Sequence, residues 1–192
     1  GGEGKKYKLT ADIYLNDITQ INWFTGDVRK AYKNEGLNTW YGGTTTNFAG
    51  NFNGNGHVIK NFSISGGEYP SFFGILCGEV RNVGFENATV TSTTTGTGIL
   101  CSHISHPNYT DAEGNLLTST IENVWVTGDI TGVSGYCGGL IGRVYGPAVV
   151  KNSYVNVNVT STVEATGALA ARVTAPFRVE NFYAAGSVPA GK

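Results

Sequence analysis

One short pattern recurs along this chain and limits its fold more than any other feature. It reads Ile59-Lys60-Asn61-Phe62-Ser63-Ile64, Val80-Arg81-Asn82-Val83-Gly84-Phe85 and Ile121-Glu122-Asn123-Val124-Trp125-Val126, then Val150-Lys151-Asn152-Ser153-Tyr154-Val155 and Val179-Glu180-Asn181-Phe182-Tyr183-Ala184. The asparagines are separated by 21, 41, 29 and 29 residues. Units that recur at such intervals cannot bury an apolar face alone and do so by stacking on one another.

Core-type residues stand two before the Asn, one after it and three after it. A straight strand alternates with period two, so the inward parity slips by one at the Asn. A corner explains the slip, because Asn tolerates unusual backbone angles and bonds to nearby backbone. Stacked units would also let the Asn amides hydrogen-bond from rung to rung. A second pattern of small-apolar-apolar-small blocks interleaves with the first: Ser71-Phe72-Phe73-Gly74, Gly98-Ile99-Leu100-Cys101, Gly139-Leu140-Ile141-Gly142 and Gly167-Ala168-Leu169-Ala170. Two strands around the Asn corner and a third carrying this block make three short strands per coil. Stacked in parallel, such coils form an all-β parallel β-helix, expected over residues 51–192. The residues just before each Asn are Lys60, Arg81, Glu122, Lys151 and Glu180. From Arg81 onward their signs alternate, which favours in-register stacking; Lys60 over Arg81 is the mismatch.

Residues 1–50 do not repeat. Tyr7 to Leu15 alternates like a strand, and Asp27 to Asn34 reads as a short helix that would cap the open end of the stack. The spacing of 41 implies an insertion of about a dozen residues within 103–119, expected as a protruding hairpin turning at Glu113-Gly114-Asn115. The chain contains no methionine and is expected to be an excised piece of a longer protein, with neighbouring domains.

Composition narrows the function. Thirteen Lys and Arg against fourteen Asp and Glu give a net charge of −1, a poor match to nucleic acid or a polybasic membrane surface. No apolar run approaches the roughly 18 residues of a membrane span. The three cysteines, Cys77, Cys101 and Cys137, form no CxxC pair and sit in apolar settings, so buried free thiols are expected, with one disulfide as the alternative.

The stretch from Phe48 to Ile59, the Ile-x-Asn-apolar units and Gly139-Leu140-Ile141-Gly142 together resemble the GLUG-motif repeats of large secreted or surface-anchored bacterial proteins. Some of these are adhesins and others accompany IgA-specific metallopeptidases. The resemblance covers about residues 7–188; Ser71, Cys101 and Ala170 depart from its Gly pattern. It implies a right-handed parallel β-helix and an extracellular or cell-surface, non-catalytic module.

The residue two after each Asn faces outward: Ser63, Gly84, Trp125, Tyr154 and Tyr183. Trp125, Tyr154 and Tyr183 thus form an outward aromatic column spanning about 10 Å at the usual strand spacing, about two sugar units long. Its bland counterpart is aromatic stacking that stabilises the sheet. In the insertion, Tyr109 and His106 are further binding candidates. His103 and His106 form H-x-x-H near Asp111 and Glu113, but no converging ligand set is evident and no metal or cofactor is expected. Asp111, Glu113, Asn115 and Glu122 match four positions of a calcium loop, yet Leu116 stands where that loop needs Gly. There is no HExxH or GxSxG, and Asp12, Asp17, Glu79, Glu86 and Asp129 are scattered. The expectation is therefore a non-enzymatic adhesion or binding module for an extracellular glycan or a host or surface protein. The alternative is a stalk presenting a neighbouring domain; a polysaccharide-degrading enzyme ranks below both.

Overall fold

The computed structural model describes residues 4–15, 47–66, 68–93, 96–107, 109–133, 135–162 and 165–189. The expected helix from Asp27 to Asn34 lies outside them. The described residues are all-β. Three short strands come first: β1 (Lys6–Lys8), β2 (Ile13–Tyr14) and β3 (Asn47–Phe48). Next come β4 (Asn51–Asn53), β5 (Val58–Lys60), β6 (Ser63–Ser65) and β7 (Phe73–Leu76). Two similar circuits follow, β8 (Glu79–Ser92) with β9 (Gly96–Thr97) and β10 (Cys101–Ile104), then β11 (Ser119–Gly132) with β12 (Tyr136–Gly138) and β13 (Ile141–Val144). The last strands are β14 (Ala148–Ser161), β15 (Ala165–Gly167), β16 (Ala170–Val173) and β17 (Phe177–Ala185).

Every ladder between these strands is parallel. The main sheet runs β1-β4-β8-β11-β14-β17, the second β16-β13-β10-β7-β3 and the third β15-β12-β9. The chain visits the three sheets in turn and then stacks on its previous passage, the path a β-helix requires. The small-apolar-apolar-small blocks sit where the chain enters the second sheet. The short β9, β12 and β15 just before them form a separate sheet that the three-strand expectation did not contain.

The asparagines make the corners. Asn61, Asn82, Asn123, Asn152 and Asn181 all adopt positive φ, between 49° and 56°. The long strands therefore bend at the Asn while hydrogen-bonding continues on both sides. The inward residues around the bends at Asn61, Asn82 and Asn123 are sealed: Ile59, Phe62, Ile64, Val80, Val83, Phe85, Ile121, Val124 and Val126 are each at most 1% exposed. Each such side chain contributes about 1.5–3 kcal/mol, far more than any surface pair, so the core decides the register. Phe48, Phe72 and Phe73 pack together within it, with ring centroids 4.8 Å apart for Phe48–Phe73 and Phe72–Phe73. β17 lies at the margin of the main sheet, and there Val179 is 42% exposed.

Amide ladders link the corners. Asn82 Nδ2 donates to Asn53 Oδ1 (3.1 Å), Asn123 Nδ2 to Asn82 Oδ1 (2.9 Å) and Asn181 Nδ2 to Asn152 Oδ1 (3.0 Å). Asn123→Ala removes one rung and places a Cβ-bearing residue without polar help in the left-handed region, so a loss of about 1.5–2 kcal/mol is expected in urea unfolding. Asn123→Gly restores the backbone freedom but not the rung and should lose less. Equal losses would mean that the backbone angle is not what the Asn supplies.

The first unit corrects the expected register. Asn61 does not stack on Asn82; Asn53 does. Asn61 aligns with Asn87, which has φ 55° and donates from Nδ2 to Asn61 Oδ1 at 2.8 Å. Lys60 pairs with Glu86 (Nζ–Oε2 3.6 Å), and Ser63 pairs with Thr89 instead of lining up with Gly84. The mismatch of Lys60 over Arg81 thus disappears. The reason is a turn at Asn55-Gly56, where both residues have positive φ, that lets β4 and β5 pair with separate parts of β8. The rest of the charge column is as expected: Arg81, Glu122, Lys151 and Glu180 are successive neighbours, with Lys151 Nζ 3.1 Å from Glu122 Oε1.

Tyr7 to Leu15 is not one strand. β1 pairs with β4 and β2 with β5, with a break between them. The three cysteines are buried free thiols. No helix among the described residues is long and apolar enough to cross a membrane.

Candidate functional site

The sequence candidates fall on two different sheets. Trp125, Tyr154 and Tyr183 are on the main sheet at one register position, as Trp125↔Tyr154 and Tyr154↔Tyr183 partners. They point away from the core, alternating with buried Val124 and Val126, and with buried Ser153 and Val155. Exposure rises along the column from a half-buried Trp125 to 43% at Tyr154 and 66% at Tyr183. Trp125 is folded down on Gly84, its register partner in β8; a Cβ on Gly84 would lie 2.2 Å from the indole Cε2. Its Nε1 approaches Glu86 Oε1 at 3.5 Å. The indole therefore takes the space that a side chain at residue 84 would fill, and the freely presented rings are those of the two tyrosines.

The insertion behaves differently from a freely protruding hairpin. Its tip does turn as expected. Gly114 has φ 82°, Thr110 and Leu116 form an antiparallel bridge, and the Asp111 carboxylate accepts from the Glu113 and Asn115 amides at 3.0 and 2.8 Å. These bonds hold the exposed Asp111 carboxyl below its usual range, the backbone bond from Asn115 contributing most. They also explain the chance likeness to a calcium loop, since Asp111 caps its own turn. Among the described residues, no three His, Cys, Asp or Glu side chains converge to hold a metal. The stem, however, lies on the outer face of the second sheet. Tyr109 and Leu117 pack against a small cluster of Tyr69, Ile75 and Cys77. Ile75, on the outward side of β7, is buried in this cluster, so all four residues of β7 are buried.

Beside this stem the structure shows a cavity of about 410 Å³. Its walls include Tyr69, His103, His106, Tyr136, Arg143 and Tyr145. His103 in β10 and Arg143 in β13 are register partners, and Arg172 in β16 follows Arg143, so three basic-type side chains form a second outward column. The Arg143 guanidinium lies 3.5 Å from the centroid of the Tyr145 ring and 5.3 Å from that of Tyr136. Arg172 sits 5.2 Å from the Tyr136 ring and donates to its hydroxyl. His103 is 4% exposed and packs edge-on against Tyr69, ring centroids 4.9 Å apart. Burial, with His106 and Arg143 adding like charge, lowers its pKa to about 3, so the ring is neutral near pH 7. Its Nδ1 and the Nε of Arg143 are buried without a hydrogen-bond partner.

Of the sequence candidates, His106 and Tyr109 are thus brought together with His103, with 6.1 Å between the His106 and Tyr109 rings and 6.5 Å between those of His103 and His106. Sequence reasoning missed Arg143, Arg172, Tyr136, Tyr145 and Tyr69. A signal existed: Leu100-Cys101, Leu140-Ile141 and Leu169-Ala170 are each followed two residues later by His103, Arg143 or Arg172, on the outward parity of a strand.

Fold and surface together describe a parallel-strand solenoid module with two outward side-chain columns. No protein-family model matches the chain. Among curated proteins it is similar to halomucin of Haloquadratum walsbyi (strain DSM 16790 / HBSQ001), 31% identical over 142 residues, which is 71% of this chain and 1% of halomucin. Among solved structures it is similar to a Bacteroides ovatus protein provisionally named an immunoglobulin A1 protease. That likeness has 32% identity and a TM-score of 0.72 over 96% of this chain and 52% of the other. The chain therefore spans about half the length of the Bacteroides chain and a very small part of halomucin.

Proposed function

We propose that this chain is a non-catalytic binding or adhesion module of a large extracellular or cell-surface protein, built of GLUG-type repeats wound into a right-handed parallel β-helix. Right-handed winding is the usual hand of crossovers between parallel strands. The names of the two similar proteins given above, halomucin and a provisionally named immunoglobulin A1 protease, support the location. The partial share of each that the chain covers, about half of the Bacteroides chain and 1% of halomucin, supports the reading of one module among neighbouring domains.

The ligand class is a glycan, held by the aromatic column. One observation carries this: Trp125, Tyr154 and Tyr183 occupy the same register position on three adjacent parallel strands, with the tyrosines 43% and 66% exposed. Flat rings at strand spacing offer successive surfaces to sugar faces, with a hydroxyl at the edge of each Tyr ring. The test is a glycan array on the native chain beside Tyr154→Ala/Tyr183→Ala. These side chains are exposed, so the fold should persist, as circular dichroism would check. Losing two stacking surfaces should weaken binding about tenfold or more. Unchanged binding by the variant, or no glycan bound by the native chain, would remove the column from function.

A stalk that presents a neighbouring domain is the second reading. It is favoured by the main hydrophobic cluster, whose buried members extend from Phe48 to Val159, since a continuous core makes a rigid rod.

A further inference from the structure

We propose that the cavity on the outer face of the second sheet is a binding site for a carboxylate-bearing sugar, a uronic or sialic-type acid, separate from the aromatic column. Its volume of about 410 Å³ suits a sugar ring; small-molecule pockets run from about 300 to 1,000 Å³.

The walls supply three kinds of chemistry. The first is a fixed cation. Arg143 is clasped by the Tyr145 and Tyr136 rings, which orient its planar fork in advance, the geometry that grips a carboxylate with paired hydrogen bonds. Among the described residues no carboxylate pairs with Arg143 or Arg172. Like charges directly opposite one another on neighbouring strands are unfavourable by themselves, so the Arg143–Arg172 step is a place where an anion is stabilising. The Glu68 carboxylate interacts with the hydroxyl of Tyr69, another lining residue.

The second is an unspent hydrogen-bonding atom. A buried polar group without a partner costs about 1–3 kcal/mol, and His103, which lines the cavity, carries such a group in its buried Nδ1. The imidazole is held neutral, so it can exchange a hydrogen bond with a sugar hydroxyl without competing for the carboxylate. The third is ring surface. Tyr69, Tyr136 and Tyr145 line the cavity with aromatic surface against which the C–H side of a sugar can pack.

The experiment uses the native chain with glucuronate, N-acetylneuraminate, glucuronamide, glucose and inorganic phosphate, followed by calorimetry and by imidazole and indole NMR signals. At least one sugar acid is expected to bind and to shift the His103 and His106 imidazole signals while leaving the Trp125 indole N–H in place. Glucuronamide and glucose should bind at least tenfold more weakly, since they lose the charge-assisted contact. Arg143→Gln should abolish the preference for acid over amide. Arg143 is partly buried, so the acid–amide comparison on the native chain stands as the test should that variant not fold. Equal binding of acid and amide, phosphate binding as tightly as the sugar acids, or no imidazole shift with either acid at about 10 mM would each overturn the assignment. Shifts at the Trp125 indole alone would support the aromatic column and overturn the cavity.

Discussion

Gly128→Ala is expected to destabilise the protein by about 3 kcal/mol or more, with a matching drop in the urea midpoint. Two costs combine. Gly128 has φ 145°, a conformation that side-chain-bearing residues rarely adopt and that costs about 1–3 kcal/mol. An added Cβ would also lie 2.0 Å from the carbonyl oxygen of Ala88 in the strand beneath. That oxygen belongs to backbone, so relief requires the two passages of the chain to part, and overpacking of this kind costs a further 1–3 kcal/mol or so. The tight spot has a cause in the register: between Val126 and Gly128 the ladder from β11 to β8 slips, because β8 carries an additional residue at the Asn87 bend. Thr127 Oγ1 accepts from the Asn87 amide at 3.0 Å and closes the gap. Gly114→Ala is the control. It has φ 82° but nothing within 4 Å of its would-be Cβ, so strain alone, about 1 kcal/mol, is expected. Similar costs at both glycines would show that the bulge does not hold the strands together.

The second large effect depends on pH. His103 is buried neutral, with its pKa lowered from 6.5 to about 3, mainly by desolvation. Below about pH 6.5 the unfolded chain takes up a proton at this residue that the folded chain refuses. Stability is therefore unaffected above that pH and falls as pH drops towards 3, by about 1.4 kcal/mol per unit. At pH 4.5 the loss is about 2–3 kcal/mol. Asp12 and Asp111 also have lowered pKa values, Asp12 chiefly through the Val58 amide, but exposed carboxyls of this kind lose their contribution only below about pH 4. The window from 6.5 to 4.5 separates the two effects. Urea unfolding at pH 7 and pH 4.5 should show the loss in the native chain and a much smaller one in His103→Gln. An equal loss in both would mean that His103 is not the buried neutral base in question.

The fold was legible where side-chain parity and backbone conformation say the same thing. At Asn82, Asn123, Asn152 and Asn181 the slip in apolar parity marks a corner, and each has positive φ. The first unit was misaligned because Phe85-Glu86-Asn87-Ala88-Thr89-Val90 repeats the same pattern only a few residues after Asn82, and Asn61 belongs with that second bend. Two overlapping copies of one pattern cannot be told apart by spacing; only the ladder partners distinguish them. The third sheet escaped notice because β9 has two residues and β12 and β15 three each, too short for any periodicity. The outward position of Trp125, Tyr154 and Tyr183 followed from parity, but the seating of Trp125 on Gly84 depends on a side chain missing from the neighbouring strand. The cavity was invisible for another reason. It joins Tyr69, the insertion, Tyr136 and the β13 face, segments brought together only when successive circuits stack.

The alternating column Arg81, Glu122, Lys151, Glu180 bears on how a chain like this can change length over evolutionary time. Deleting one circuit, β11 with β12 and β13, would bring Lys151 directly over Arg81 and set cation against cation. Such a pair costs only about 0.2–1 kcal/mol, yet the penalty recurs at every odd deletion or duplication and vanishes at every even one. Recombination between repeats would then be filtered towards gains and losses in pairs, so that a two-circuit block, not the single repeat, is the unit in which the solenoid grows.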